Sequence, residues 1–179
     1  GKLVSLGLDA VRAAPGVALV LTAADIPGKN DYSPVFGDDP IFAEDQVFFR
    51  GQPLFAVAAP SLAQARAAAK LATIEIEAET PAISIDDALA LAEREGDLLP
   101  PHEMRLGDAA TALANAPHRL SGAVETGGQD HFYLEGQIAS AVPLEDGDVL
   151  VRSSTQHPSE VQHNVAKALG VPDHAVTVE

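Results

Sequence analysis

The chain has 179 residues, 46% hydrophobic and 21% charged, a composition of folded domains and not of disordered or fibrous chains. Its 11 basic and 26 acidic residues give a formal charge of −15, which repels phosphate backbones and anionic lipid, so nucleic acid and membrane surfaces are excluded as natural partners. There is no cysteine, which removes disulfides, thiolate zinc sites, a thiol nucleophile and cysteine-held iron–sulfur clusters.

No apolar run approaches the roughly 20 residues of a membrane-spanning helix, and the opening at Gly1 instead of Met is what a piece of a larger polypeptide would show. Residues 3–26 read as a short extended piece, a brief helix over Asp9 to Ala14, a Pro15-Gly16 turn and the strand "VALVL". One helical turn follows, capped by Thr22 and stopped by Pro27. Residues 27–45 are rich in Gly, Pro and Asp and predict a long surface loop. "QVFFRGQPLFAVAAP" predicts two strand segments split by Gly51 and Pro53. "SLAQARAAAKLA" predicts a helix with Ser61 as cap and Leu62, Ala65, Ala69 and Ala72 on its inner face. "TIEIE" alternates with the period of a half-buried strand. Strand, helix, strand is the βαβ order and predicts a mixed sheet covered by helices.

A second helix is predicted from Ile85 to Glu95, and a linker over 96–115, whose polar part runs from Gly96 to Asp108. "HRLSGAVET" and the segment from His131 to Pro143 read as strands. Asp146-Gly147 marks a hairpin tip. A helix begins at Pro158, with Glu160 near its positive end, Lys167 near its negative end and Val161, Val165 and Leu169 toward a core, and stops at Gly170 and Pro172. "AVTVE" predicts a last strand with no partner in view.

Several chemistries fail on spacing. His157 and His163 are six residues apart, about 240° around a helix, and so point to different faces. His131 and Glu135 have i, i+4 spacing on what reads as a strand, without the second histidine of a zinc-protease motif. "PGKND" has Ala23 where a phosphate loop needs its first glycine, and no dinucleotide glycine motif or nucleophile elbow occurs. "GGQDHFYLEGQ", residues 127–137, survives this sorting. Gly127 and Gly128 let backbone approach a ligand, and the amide of Gln129 can donate a hydrogen bond without changing charge. The alternative is that the glycines mark a bulge and Gln129 is a surface residue.

That segment, together with "SSTQHPSEVQHNVAKALGVP", resembles the large, molybdopterin-binding subunit of xanthine dehydrogenases of bacterial type, within the molybdenum hydroxylase family. "DQVFFRGQPLFAVAAPSLAQARAAAKLATIEIEAETPAISIDDAL" resembles the α/β hammerhead domain of the same subunit. The resemblance implies an α+β chain, truncated at both ends. Its hammerhead domain would occupy 1–95, a linker 96–115 and the beginning of a molybdopterin-binding domain 116–179, with mixed sheets and packed helices. It implies that Gln129 donates to the apical oxo group of molybdenum, that Gly127 and Gly128 give the cofactor room, and that His131, Phe132 and Glu135 form a supporting shell. No residue of this chain is implied as a metal ligand.

The family's glycine-rich segment, arginine and general-base glutamate would lie beyond Glu179, so the chain alone is expected to be inactive and to bind no cofactor. The parent enzyme would hydroxylate hypoxanthine and xanthine to urate in the cytoplasm. Electrons would pass to NAD through iron–sulfur clusters and FAD on a separate small subunit, which would account for the missing cysteines. Two other readings compete. One is a non-catalytic acidic assembly domain, the other a histidine–metal hydrolase. Truncated ends would leave apolar edges exposed and favour self-association.

Overall fold

The computed structural model describes residues 1–96 and 100–179. The elements in chain order are β1 (Lys2–Gly7), α1 (Asp9–Arg12), β2 (Leu19–Leu21), β3 (Ala56–Ala58), α2 (Leu62–Ala69) and β4 (Thr73–Glu77). They continue with α3 (Ile85–Glu95), α4 (Ala109–Asn115), β5 (Ala139–Pro143), β6 (Val149–Ser153), α5 (Pro158–Leu169) and β7 (Val176–Val178). The chain divides into two compact units: Gly1–Glu79 joined by Leu134–Glu179, and Thr80–Tyr133. The secondary structure is the α+β mixture that the resemblance implies.

In the first unit, Leu8, Val11, Val20 and Ala68 form a small buried core, and Leu6, Val17, Phe55 and Val57 pack around it. Ser61 caps α2 by accepting from the Gln64 amide. Of the predicted inner face of α2, Ala65, Ala69 and Ala72 are half-buried and Ala72 packs against the core; Ala68 is the most buried position, and Leu62, in the first turn, is exposed. Small alanines let the helix approach the core closely, and a terminal leucine is not needed there.

The predicted βαβ unit around α2 does not form. β3 pairs antiparallel with β2, and β4 pairs antiparallel with β1, so the strands flanking α2 lie in different two-stranded sheets. Element order constrains a parallel pair only if both strands lack better partners, and here each meets an earlier strand in the slightly more stable antiparallel geometry. The predicted strand at residues 46–50 is also missing apart from one bridge between Gln46 and Lys2. The buried Gln52 accepts from the Phe48 amide through its side chain, at 2.8 Å. Gly51, at φ +96°, closes the chain into a turn. Local side-chain bonding of this kind competes with a sheet ladder.

The βαβ unit lies instead at the C-terminal end, where β6 and β7 are parallel and α5 is the crossover. Val151, Ala166 and Val176 are its buried centre, ringed by Val149, Val161, Val165, Val171 and Val178. Gln162 Nε2 donates to the Val176 carbonyl at 2.7 Å and ties helix to strand. β5 and β6 form the predicted hairpin, with Asp146 at φ 58° and Gly147 at φ 84° at the tip. β7, which had no partner in view from sequence, pairs with β6.

In the second unit, α3 has the predicted bounds. The Ser84 hydroxyl accepts from the Asp87 amide, and the Asp87 carboxylate accepts from the Ser84 amide in return. α4 falls within the stretch read as a linker. Asp108 caps it by accepting from the amide and hydroxyl of Thr111, which hold its carboxyl below the usual aspartate range, the amide first. "HRLSGAVET" carries no strand. Only the end of the predicted 131–143 strand, Ala139–Pro143, is one. Alternation of apolar residues does not make a strand without a neighbouring strand to receive its hydrogen bonds.

The loop of residues 27–45 ties the two chain segments of the first unit together. The helix α5 ends at Gly170, whose left-handed backbone turns the chain, and the amides of Gly170 and Val171 satisfy the Ala166 carbonyl. The next two carbonyls are satisfied from the loop, Ala168 by the Gly28 amide at 2.8 Å and Lys167 by the Lys29 amide at 3.0 Å. A methyl group on Gly28 would lie 2.1 Å from the Lys167 carbonyl oxygen, so only glycine fits. The Lys167 ammonium then reaches Asp31 Oδ2 at 2.7 Å and the Ser33 carbonyl at 3.1 Å. Asp31 Oδ1 also accepts from the amides of Ser33 and Asp39.

Two stability predictions follow from this joint. Gly28→Ala is expected to lower unfolding free energy by about 1–3 kcal/mol, the usual cost of overpacking, measured as a drop in urea midpoint. Asp31 is held below the ordinary aspartate value of 3.8, first by the Lys167 ammonium and then by the Ser33 and Asp39 amides. Because the folded value is the lower one, the stabilisation is complete above the unfolded value, about pH 4, and is lost as the pH falls below it. The gap in urea midpoint between wild type and Asp31→Asn should therefore narrow below about pH 4; a gap that stays constant on acidification excludes this assignment.

Candidate functional site

Residues 127–137 carry no regular secondary structure. Gly127 and Gly128 have no positive φ, and a methyl group built on either would meet no other atom within 4 Å. Neither backbone conformation nor packing within the described residues therefore requires glycine here. No strand passes through them, so the bulge that was the alternative explanation has no ladder to interrupt.

Gln129 is exposed, and among the described residues its amide makes no hydrogen bond. Both N–H donors are free to face a ligand approaching over bare backbone. Downstream the chain tightens. The His131 amide donates to its neighbour's carboxylate, Asp130 Oδ1, at 2.7 Å, and the Tyr133 amide donates to the His131 carbonyl at 2.8 Å. Phe132 is 99% exposed and Glu135 is exposed, so neither these nor His131 form a closed shell among the described residues.

Of the other histidines, His157 is the residue before α5, outside its helical turns. His163 Nδ1 lies 3.4 Å from the Asp173 carboxylate, with both side chains largely exposed. Among the described residues no three His, Asp or Glu side chains converge into a metal-binding group. No helix of the described residues is long and apolar enough to cross a membrane.

For the cofactor implied by the resemblance, the donor chemistry fits. A neutral amide with unengaged N–H groups, next to two positions without side chains, can donate to an oxygen of a bound group without adding charge. Sequence reasoning found this segment but missed the residue that fastens its downstream end. Ser154, just after β6, donates from its hydroxyl to the Gly136 carbonyl at 2.7 Å. Its only signal in the sequence is its place in the second string of the resemblance, because a contact across a hairpin leaves no periodic trace.

Two family models match the chain. The aldehyde oxidase and xanthine dehydrogenase a/b hammerhead domain matches residues 1–80, and the molybdopterin cofactor-binding domain matches residues 92–179. Xanthine dehydrogenase of Dictyostelium discoideum is 37% identical over 172 residues, which cover 94% of this chain and 12% of that protein. Aldehyde oxidase 2 of Cavia porcellus is 36% identical over 178 residues, 98% of this chain and 13% of that protein. An aldehyde oxidoreductase from Desulfovibrio gigas has the same fold over 99% of this chain and 21% of its own, with a TM-score of 0.78 at 23% identity.

The matched domains define the class: a piece of a family of molybdopterin-binding oxidoreductases. The chain belongs to the molybdenum hydroxylase family, and covers the hammerhead domain and part of the molybdopterin-binding domain of the large subunits in the xanthine dehydrogenase and aldehyde oxidase group. It spans about an eighth of the length of the curated relatives it matches.

Met104, Leu106, Leu120, Val124, Phe132 and Leu134 are almost wholly exposed. Exposed apolar side chains favour association where they form a contiguous patch. The isolated 179-residue chain is expected to self-associate, and a single monomeric species in sedimentation velocity across a wide concentration range would count against this.

Proposed function

We propose that the chain is part of the molybdopterin-binding large subunit of a bacterial-type xanthine dehydrogenase, with the hammerhead domain in 1–95, a linker in 96–115 and the beginning of the cofactor domain in 116–179. The parent enzyme hydroxylates hypoxanthine and xanthine to urate in the cytoplasm, and passes the electrons to NAD through iron–sulfur clusters and FAD on a small partner subunit. The two matched domains and their order along the chain support this reading, as do relatives that include a xanthine dehydrogenase at 37% identity. The absence of cysteine fits a chain whose electron-transfer clusters are held elsewhere.

The observation that carries the site assignment is the free amide of Gln129 behind two unobstructed glycines. When bound, the molybdenum cofactor supplies the oxidation of an electron-poor ring carbon. Gln129 would hold that group by donating its side-chain amide to one of its oxygens. A lysine in the same place would add a full charge beside the metal, whereas an amide adjusts polarity and orientation only. Gly127 and Gly128 hold the space beside that donor open, and a side chain at either would occupy it. One such donor supplies little catalysis without the remaining cofactor contacts and a base, so the chain alone is inactive.

In the cofactor-loaded parent enzyme, Gln129→Ala is expected to lower kcat/KM for xanthine about 100-fold or more, the typical loss for one removed donor at a reacting oxygen, with molybdenum content unchanged. Unaltered turnover together with an unaltered metal absorption spectrum overturns the assignment. Comparing xanthine with aromatic aldehydes in the same assay tests the purine reading, and a preference for aldehydes defeats it.

A further inference from the structure

We propose that the loop tip at Val35 and Phe36 is a docking anchor for an apolar socket rimmed by lysine or arginine, carried by the remainder of the large-subunit polypeptide. The inference rests on the reading above that this chain is part of such a subunit. The tip is closed at its base, where the Tyr32 amide donates to the Asp39 carbonyl at 2.9 Å and Asp31 Oδ1 accepts from the amides of Ser33 and Asp39. Ser33 Oγ organises the turn from inside. It accepts from the amides of Phe36 and Gly37 at 3.1 Å each, and more distantly from that of Val35 at 3.4 Å, while donating to Asp38 Oδ1. Gly37 sits at φ +74°, the left-handed conformation that turns the chain back.

This bracing fixes the backbone and leaves the side chains outside. Val35 is 74% exposed and Phe36 85%. Ordering a loop costs conformational entropy, and no apolar burial at the tip offsets that cost within this unit. An aromatic side chain on a backbone already fixed is pre-organised for contact, and loses little more freedom when a partner covers it. The charge around it has one sign. Between Lys29 and Arg50 the chain carries Asp31, Asp38, Asp39, Glu44 and Asp45 and no basic residue, and among the described residues only Asp31 of these is in an ion pair. Asp38 and Asp39 are exposed beside the tip. The complementary surface is therefore apolar at its centre and basic at its edge.

Charge and area choose among polypeptides. A second copy brings the same charge of −15, with only 11 basic residues to rim a socket. A separate protein needs about 1,200 Å² of interface to hold, far more than two side chains supply, whereas a segment of the same polypeptide docks at high effective concentration and holds on a small anchor. In the curated relatives the matched stretch is only 12 or 13% of the length, so most of their polypeptide lies outside it.

The test uses the intact parent enzyme with p-benzoylphenylalanine in place of Phe36, irradiated and mapped by peptide mass spectrometry. The expected cross-link joins position 36 to a lysine- or arginine-bearing peptide of the same large subunit outside residues 1–179, with the subunit still at its monomer mass under denaturing conditions. Asp39→Lys is expected to lower the yield several-fold. A cross-link to another subunit, to a second copy or within residues 1–179, or none at all, overturns the proposal, and so does an unchanged yield in Asp39→Lys. Phe36→Ser gives a second readout without the probe. Because the ring is exposed in this unit, its loss breaks no packing here, and a lower urea midpoint of the intact enzyme reports its burial by the remainder; an equal midpoint is again an overturning result. A parent polypeptide no longer than this chain defeats the proposed function as well, whereas a preference for aldehydes over xanthine defeats only the purine reading and leaves this contact standing.

Discussion

The structure depends on how the end of α5 is closed. A helix leaves its last carbonyls without partners, and two of those in α5 are taken by the amides of Gly28 and Lys29 from a loop far away in the sequence. The ion pair of Lys167 with Asp31 stands beside this joint, with only 17% and 19% of the two side-chain surfaces exposed. A pair so covered is stabilising only if its remaining hydrogen-bonding capacity is used. Here it is: Asp31 also accepts from two amides, and Lys167 also donates to a carbonyl. Removing either partner would strand a charge where water reaches poorly. This joint makes residues 1–79 and 134–179 one unit although 54 residues, Thr80 to Tyr133, lie between them in the chain.

The joint also explains why the loop of 27–45 is ordered without being regular. Ser33 is buried, and its Oγ accepts from the amides of Val35, Phe36 and Gly37 while donating to Asp38. Asn30 exchanges bonds with the amide and carbonyl of Phe42 and donates to Glu44. Side chains here take over the role that a ladder has in a strand. A composition rich in Asp, Asn, Ser and Gly reads as a loop, and correctly so, but says nothing of whether that loop is slack or braced.

The same division governs what was legible in the sequence. Features carried by a few neighbouring residues could be read: the Ser61 cap, the span of α3, the Asp146-Gly147 hairpin, Pro158 opening α5 and Gly170 closing it. Features that require a choice of distant partner could not. Lys167 reads as a cation complementing a helix end, and nothing near it in the chain names Asp31. β3 and β4 read as neighbours because a helix separates them, yet each pairs with an earlier strand. α4 was hidden because its Asp108 cap and short run sit in a stretch whose polarity suggested a linker.

The glycine–glutamine segment shows the opposite case, in which sequence implies more than local structure accounts for. A glycine is usually explained by a backbone angle or a close neighbour, as Gly170 and Gly28 are. Gly127 and Gly128 have neither, and Gln129 has no partner for its amide among the described residues. A cofactor met through bare backbone is the reason proposed above for both. The end of the first string that carries the family resemblance is tied to the second within one unit, where the Ser154 hydroxyl donates to the Gly136 carbonyl.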